Sequence, residues 1–361
     1  VLCVEHVLTV YGMTHVVLVY ALLSRILSVL CSVIPVIFFN TGVPGAIIGL
    51  TLASFGSFLV GMRLLTLPFK DVTRRKTDLT TADILRFSMP VFSSSLYGFV
   101  IGSASQFFVS RYLGVENFAM FANGYRELPI AGIVIGAVAG ILLPEFSRMT
   151  KGGSDSKQYL VLWKNVVLKS AAVIYPFSLY CCIFAPEIMG VLYGTVYREA
   201  ADLFRIVTII NLVRIVPYGP IMFALGKGKI FAKAHLVTAL LLLGLDFLCV
   251  TFFPSLSAIA IIATTTTVFC LVVLMVSTAR LLNTGLSRLM PWKSMFKILS
   301  VSTFSCFLGS CAVNLIGVTR DFPALLSGFL ISIVIYLPLS YIAGINYARL
   351  LKPLVSTNQR K

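Results

Sequence analysis

A small set of charged side chains interrupts the long apolar stretches of this sequence, and these residues have the greatest capacity for chemistry. A charge in the middle of a membrane costs about 2.5–3.5 kcal/mol on insertion scales, so each one needs a partner, a water-filled cavity or a ligand. A guanidinium group binds phosphate through paired hydrogen bonds and stays charged when partly desolvated. The arginines therefore favour a cavity that admits a phosphate-bearing anion and repels organic cations. The set comprises Arg25, Arg86, Arg126, Arg205, Arg214, Glu127, Asp202 and Asp246.

Three of the arginines are the strongest candidates for binding an anion. Arg25 lies near the middle of the first apolar stretch, and none of its helical neighbours at i±3 and i±4 can pair with its charge. A cavity is therefore favoured over an ion pair with another helix. Arg214 has Pro217 one turn later, which predicts a bend beside it. We predict that Arg25, Arg126 and Arg214 face one cavity and bind the substrate.

The remaining charges have alternative explanations. Asp202 precedes Arg205 by three residues and can neutralise it on a helix. Glu127 follows Arg126 directly, and adjacent helical residues do not face each other, so one can line the cavity while the other finds a distant partner. Asp246 could pair with an arginine or carry a proton in ion-coupled transport, and pairing is favoured. Arg86 is near a helix end, where snorkelling explains it.

Catalytic and metal-binding patterns are lacking from the sequence. The histidines have no acidic residue four or five positions downstream, and the eight cysteines show no zinc-ligand spacing. Lys227, in the segment ALGKGK, does not complete a phosphate-binding loop for ATP. These observations predict that the chain is not an enzyme and has no metal site and no cofactor.

The elements that position these charges are transmembrane helices. Hydrophobic residues make up 58% of the 361 positions and charged residues 12%, with a mean hydropathy of +0.97. A soluble chain has about 25% charged residues, so most of the surface of this protein must face lipid. Backbone N–H and C=O groups find no water there, and an α-helix satisfies their hydrogen bonds within one segment. We predict an all-α polytopic membrane protein of about ten spans, at residues 16–38, 43–65, 84–109, 118–143, 165–184, 200–225, 230–253, 257–279, 294–316 and 323–345.

The loop charges predict the orientation of these helices. With the first span running outward, nearly all loop Lys and Arg residues fall on one side, and only Arg111, Arg198 and Arg320 fall on the other. The positive-inside rule then makes both ends of the present chain cytoplasmic. This distribution also explains the net charge of +16 without nucleic acid. Because the apolar run at residues 1–11 is too short to span a membrane, we expect it to be either the tail of an earlier helix that is missing or an interfacial segment.

Charge and apolar length together predict four regions. Residues 1–65 hold two helices, and the polar stretch 66–83 is a cytoplasmic linker. Residues 84–282 form a six-helix lobe, and residues 283–361 add two helices and a basic tail. Within the lobe, small residues repeat every four positions at Ser94, Gly98 and Gly102 and at Gly132, Gly136 and Gly140, which predicts close helix packing.

Three stretches resemble one family. RFSMPVFSSSLYGFVIGSASQFFVSRYLGVENFAMFANGYRELP, from Arg86, is similar to the start of a second lobe in that family. ILLPEFSRM, at residues 141–149, is similar to a Leu-Pro-x-Leu-Ser signature, with Phe146 where Leu is usual. APEIMGVLYGTVYREAADLFRI and ALGKGK, within residues 185–229, resemble its external re-entry segment and a basic Gly turn. The family is the oligosaccharide flippases of the multidrug/oligosaccharidyl-lipid/polysaccharide exporter superfamily.

This resemblance implies a function. Members of this family are two-lobed proteins that flip polyprenyl-pyrophosphate-linked oligosaccharide to the outer leaflet by alternating access. It implies O-antigen, capsule or lipopolysaccharide synthesis at the bacterial inner membrane, with lipid-linked oligosaccharide, membrane lipids and the polysaccharide polymerase machinery as partners. By comparison with the family, most of the first lobe is missing from this sequence.

Three other functions stay open at this point. A lipid II flippase of the same superfamily shares the logic of a cationic cavity. A multidrug cation exporter would need acidic groups in its cavity, whereas the sequence offers arginines. A membrane enzyme of polysaccharide assembly is the alternative from a different class, and it lacks a recognisable catalytic pattern.

Overall fold

The computed structural model describes residues 4–5, 7–8, 11–69, 80–127, 129–153, 155–318, 320–345 and 347. Most of the predicted linker 66–83 and the predicted basic tail lie outside these residues. The chain divides into two compact units, Val1–Thr80 and Thr81–Lys361. Each unit is a set of helices, and the described residues contain no β-strand.

The first unit is an antiparallel pair of helices, α1 (Thr14–Phe39) and α2 (Gly42–Leu64), followed by a short 3-10 turn at Leu67–Phe69. The turn between the helices uses Asn40 in the left-handed region, with φ 50°. The buried face of α2 carries a small residue every four positions: Gly49, Ala53, Ser57 and Gly61. This row lets the two backbones meet, because a Cβ on Gly49 would overlap the Cys31 carbonyl oxygen.

The second unit contains thirteen α-helices among its described residues. They are α3 (Thr81–Tyr112), α4 (Val115–Gly124), α5 (Pro129–Lys151), α6 (Ser156–Ile183), α7 (Ala185–Tyr193), α8 (Ala201–Thr208), α9 (Ile210–Val213), α10 (Gly219–Ala224), α11 (Gly228–Phe252), α12 (Leu256–Leu281), α13 (Leu286–Leu289), α14 (Trp292–Ile316) and α15 (Asp321–Ile342). A 3-10 turn at Thr195–Ala200 joins α7 to α8. The long helices pack in neighbouring pairs, with α3 against α11, α11 against α12, and α14 against both α15 and α6.

Nine helices of the described chain are long and apolar enough to cross a membrane: α1, α2, α3, α5, α6, α11, α12, α14 and α15. The predicted all-α polytopic class is thereby confirmed. Two predicted spans are wrong as continuous helices. The segment 118–143 is split between α4 and α5, and the segment 200–225 is divided among α8, α9 and α10. Prolines at Pro129, Pro217 and Pro220 interrupt helices there, whereas Pro90 and Pro176 lie within continuous ones.

The last two long helices are fixed to the rest of the second unit near the predicted external side. The guanidinium of Arg198 pairs with the carboxylate of Asp321, which lies in the first turn of α15. The Tyr180 hydroxyl donates a hydrogen bond of 2.7 Å to the Leu325 carbonyl oxygen. Gly328 leaves room for the Phe184 ring, which a Cβ would overlap. Polar and steric contacts together hold α15 against α6 and α7.

The predicted packing role of two glycine rows is wrong. At Gly98, Gly102, Gly132, Gly136 and Gly140, no heavy atom of a neighbouring described segment lies within 4 Å of the position a Cβ would take, although Ser94 of the first row is buried. Close approach occurs instead at Gly309 of α14, where a Cβ would overlap the Ser332 hydroxyl of α15 and lie 3.2 Å from the Gly328 carbonyl oxygen. A four-residue spacing shows which residues share a helix face, but it does not show what that face meets.

This difference predicts opposite results for two glycine substitutions. Gly309→Leu forces α14 and α15 apart, and we expect it to lower stability by about 1–3 kcal/mol, the usual effect of overpacking. Gly136→Leu enters open space and should leave stability unchanged or slightly higher, because leucine favours the helix. Thermal unfolding of the purified variants in one detergent measures both. If both variants lost the same amount of stability, the helix face that carries Gly136 would not be open.

Candidate functional site

The first helix break of the second unit separates α4 from α5. Helix α4 ends at Gly124, and Tyr125 leaves the helical region with φ −83° and ψ 57°. Helix α5 begins at Pro129. Proline suits the first position of a helix, because an N–H at that position would have no acceptor within the helix. Arg126 and Glu127 therefore lie in non-helical backbone, not on the continuous helix that the sequence predicted.

The second break separates α9 from α10. Helix α9 ends at Val213, and Arg214 caps it with φ −85° and ψ 68°. Pro217 lacks a backbone donor and disfavours helical backbone at Val216, so the helix does not resume until Gly219. Backbone that leaves the helix within a membrane is tolerated where protein surrounds it or where it lines a water-filled cavity.

An ion pair joins the two breaks. The Arg214 guanidinium pairs with the Glu127 carboxylate across 87 positions of sequence. The side chains are 33% and 22% exposed, so both charges are largely shielded from solvent. Arg214 was predicted to face the cavity as a substrate-binding cation, but its charge is matched by a carboxylate. Glu127 has the distant partner that the sequence allowed for one member of the Arg126–Glu127 pair.

Arg126 is the cation of this region without a carboxylate partner in the described part of the chain. Its side chain is exposed, and it lies in the same break as Glu127. The salt bridges among the described residues involve Arg148, Arg198, Arg205 and Arg214. Of the two predicted cavity arginines in the second unit, only Arg126 therefore offers an unmatched charge.

A second polar pair lies beside this break. Asp246 on α11 is fully buried and accepts a 2.7 Å hydrogen bond from the Ser105 hydroxyl of α3. The predicted arginine partner of Asp246 is thus wrong for the described chain: α11 packs against α3, and the polar group that faces the carboxylate is a hydroxyl. Its other oxygen, Oδ1, has no hydrogen-bond partner among the described residues.

Tyr125 connects the two polar pairs. Its ring stacks on Phe121 with centroids 5.0 Å apart, and its hydroxyl is 3.0 Å from the Thr264 hydroxyl of α12. The Tyr125 ring also packs against the cluster of Ala104, Leu242 and Ala263, which lie on the helices that carry Ser105, Asp246 and Thr264. Sequence reasoning missed Tyr125, Thr264 and Ser105, because isolated hydroxyls on apolar helices give no spacing signal.

The other predicted site residues lie elsewhere. Asp202 and Arg205 pair one turn apart on α8 at 2.8 Å, and Arg205 Nε donates to the Cys182 carbonyl oxygen at 3.1 Å. This pair fastens α8 to α6. Arg25 is exposed on α1 in the first unit and has no ion pair among the described residues. Arg126 and Arg214 belong to the second unit. The described residues contain no cluster of three potential metal ligands.

The arrangement is suited to binding an anion. Broken helices present backbone groups and charged side chains inside a membrane protein, as at the substrate sites of several transporters. Here the neutralised Glu127–Arg214 pair fixes the two breaks, and Arg126 adds a positive charge next to it. The predicted cluster of three arginines is therefore reduced, within the second unit, to one unmatched cation and one paired cation.

The ion pair makes a prediction for a double-mutant cycle. Glu127→Gln and Arg214→Gln each leave one charge unmatched, so each should destabilise the protein by about 1–3 kcal/mol, less than for a fully buried pair because both side chains are partly exposed. The double variant should recover part of this loss, because neither charge remains. Thermal unfolding in detergent measures the coupling.

The control for this cycle is the Glu145–Arg148 pair, which has the same chemistry one turn apart on α5 and whose arginine side chain is 63% exposed. Its Gln variants should unfold as the unmodified protein does. Strictly additive losses for Glu127→Gln and Arg214→Gln would contradict an interaction between the two side chains.

Comparisons with known proteins agree with this architecture. A model of the polysaccharide biosynthesis protein family matches residues 12–202. A search of curated proteins found no match. Among solved structures, the chain is similar to the lipid II flippase MurJ in an inward closed conformation, with a TM-score of 0.58 and 16% identity over 91% of this chain and 67% of that one. At this identity the likeness shows a shared fold. Because the family model covers more than half of its residues, the chain belongs to the polysaccharide biosynthesis protein family.

Proposed function

We propose that this protein flips a polyprenyl-pyrophosphate-linked oligosaccharide from the cytoplasmic to the outer leaflet of a bacterial inner membrane. The observation that carries the proposal is the pair of helix breaks with Arg126 exposed beside the Glu127–Arg214 ion pair. A pyrophosphate is the part of such a substrate that a guanidinium recognises best. Family membership supports a role in polysaccharide biosynthesis, and the shared fold supports a flippase.

The proposed role of each charge follows from its partner. Arg126 contacts the pyrophosphate, because no carboxylate of the described chain offsets its charge. Arg214 acts as a positioning residue, held by Glu127 so that the two breaks stay together. Arg25 is a further candidate for the substrate, since it is an exposed membrane cation without an ion pair in the described chain.

Asp246 is the candidate for coupling transport to an ion. Ser105 engages one of its carboxylate oxygens, and the other has no hydrogen-bond partner in the described chain. A buried carboxyl of this kind can bind a proton without breaking an ion pair. Tyr125 would transmit a change of charge at Asp246 to the neighbouring break, because it lies in that break and packs against the cluster that contains Leu242, one turn before Asp246.

The open glycine faces of α3 and α5 support passage of a large polar group. Gly102 and Gly136 are exposed, and no other segment of the described chain fills the space beside them. In the proposal, the saccharide moves along such faces by alternating access while the polyprenyl tail stays in the lipid. The termini of the present chain face the cytoplasm, and a polysaccharide polymerase uses the flipped product.

Lipid II is the second candidate substrate, because the similar solved structure is a lipid II flippase. Both substrates carry a polyprenyl pyrophosphate, so Arg126 would serve either. A multidrug cation exporter is disfavoured by the positive charge of Arg126. The family description favours a polysaccharide precursor over lipid II.

Complementation tests this proposal. The full-length protein should restore surface polysaccharide to a strain that lacks its polysaccharide flippase, and it should fail to restore growth to a strain depleted of its lipid II flippase. Arg126→Ala should lower export by roughly tenfold or more, the effect of losing one charge-assisted hydrogen-bond contact of about 1.5–3 kcal/mol. Arg126→Lys should be intermediate, because it keeps the charge but loses the fork geometry.

The matched control is Arg111→Ala, which removes an exposed arginine at the external end of α3 and should leave export unchanged. Surface polysaccharide is measured by gel or antibody at equal membrane expression of each variant. Unchanged export in Arg126→Ala would refute the proposed contact. If the protein rescued only the strain depleted of its lipid II flippase, lipid II would be the substrate in place of the oligosaccharide.

A further inference from the structure

A separate cavity lies between α3 and α11, at the ends of these helices that the loop charges assign to the cytoplasm. Its volume is about 460 Å³. Arg86 of α3 and Lys229 and Lys233 of α11 bring three positive charges to it. The cavity belongs entirely to the second unit, and it contains none of Arg126, Glu127, Arg214 and Asp246.

The three cations are exposed, and their arrangement is mildly unfavourable without an anion. Lys229 and Lys233 are one turn apart on the same helix, where like charges repel. Lys229 also lies in the first turn of α11, which begins at Gly228, and the positive end of the helix dipole opposes a cation there. No salt bridge of the described chain pairs Arg86, Lys229 or Lys233 with a carboxylate. An anion in the cavity would relieve this repulsion.

Close packing brings the two helices together at this point. A Cβ on Gly228 would lie 3.3 Å from the Pro90 side chain, so the glycine allows α3 to approach the start of α11. Arg86 precedes Pro90 by one turn and therefore lies beside the two lysines at the mouth of the cavity. Asp83, one turn earlier on α3, does not line the cavity.

Besides the three cations, the cavity is lined by apolar and hydroxyl-bearing residues. Met89 and Leu236 give apolar walls, and Ser93 and Tyr97 add hydroxyls further along α3. The side chains of Ser93 and Tyr97 are half-buried. A phosphate on the three cations and the first carbons of an acyl or polyprenyl chain against the apolar residues would match this lining. Basic pockets between helices on the cytoplasmic side commonly hold anionic lipid head groups.

We propose that this cavity binds the phosphate head group of an anionic lipid from the cytoplasmic leaflet. The phosphate contacts Arg86, Lys229 and Lys233, and the start of the lipid chain lies against Met89 and Leu236. Two lipids carry this chemistry, an anionic phospholipid and a polyprenyl pyrophosphate. The site is distinct from the helix breaks, and binding here does not require that Arg126 contact a substrate.

Lipid binding to the purified protein tests this site directly. The probes are phosphatidylglycerol, a polyprenyl pyrophosphate, the neutral-headed phosphatidylethanolamine, and inorganic pyrophosphate, each titrated in detergent with native mass spectrometry as the readout. The test variant is Arg86→Gln/Lys229→Gln/Lys233→Gln. Each cation near a lipid surface contributes roughly a factor of five, so the triple variant should bind anionic lipid on the order of 100-fold more weakly.

The control variant is Arg288→Gln/Lys293→Gln/Lys297→Gln. It removes the same charge, and Lys293 and Lys297 likewise lie one turn apart at the start of a long helix, α14, but they do not line this cavity. It should bind lipid as the unmodified protein does. Thermal unfolding without added lipid shows whether each triple variant is folded.

The outcomes separate cleanly. A larger loss of phosphatidylglycerol binding than of polyprenyl pyrophosphate binding in the test variant assigns the site to bulk phospholipid, and the reverse assigns it to polyprenyl pyrophosphate. Either result supports a lipid phosphate site. Equal binding by the folded test and control variants would overturn the proposal. So would binding of inorganic pyrophosphate as tight as that of the lipids, because the apolar walls would then contribute nothing.

Discussion

The Glu127–Arg214 ion pair is the interaction on which the interior of the second unit depends. Either charge alone would cost about 2.5–3.5 kcal/mol in the middle of a membrane, and together they neutralise one another. The pair links two segments that do not continue as helices, 125–127 and 214–218, and whose backbone groups need surrounding protein or water. The ion pair and the helix breaks therefore depend on each other, because one break positions Glu127 and the other positions Arg214.

The ion pairs leave few charges of the second unit free to bind a substrate. Arg214 is neutralised by Glu127, Arg205 by Asp202, and Arg198 by Asp321. Asp246 is held by a hydroxyl, and Tyr125 connects it to the break. Arg205 and Arg214, two of the arginines in the second unit's apolar segments, thus stabilise the structure, whereas Arg126 is exposed beside them. A single unmatched guanidinium next to a neutral pair can attract a phosphate without filling the interior with uncompensated positive charge.

The sequence predicted much of the architecture but little of the site. Apolar length gave the long helices, because about twenty residues span the hydrocarbon layer whatever they pack against. It did not separate α4 from α5, since proline within an apolar run is compatible with a kink or a break. Glu127 and Arg214 are 87 positions apart, so no local spacing could pair them. The glycine rows at Gly102 and Gly136 failed for a related reason: what a face meets is decided by tertiary structure, and the true packing row at Gly49–Gly61 lies on another helix.

An experimental structure of the protein in lipid nanodiscs, resolved to side chains, measures the central interaction most directly. The account predicts non-helical backbone at 125–127 and at 214–218, the Glu127 carboxylate within hydrogen-bond distance of the Arg214 guanidinium, and Arg126 directed to an aqueous space. Continuous helices through both segments, or an Arg214 side chain directed into lipid with Glu127 paired elsewhere, would contradict it.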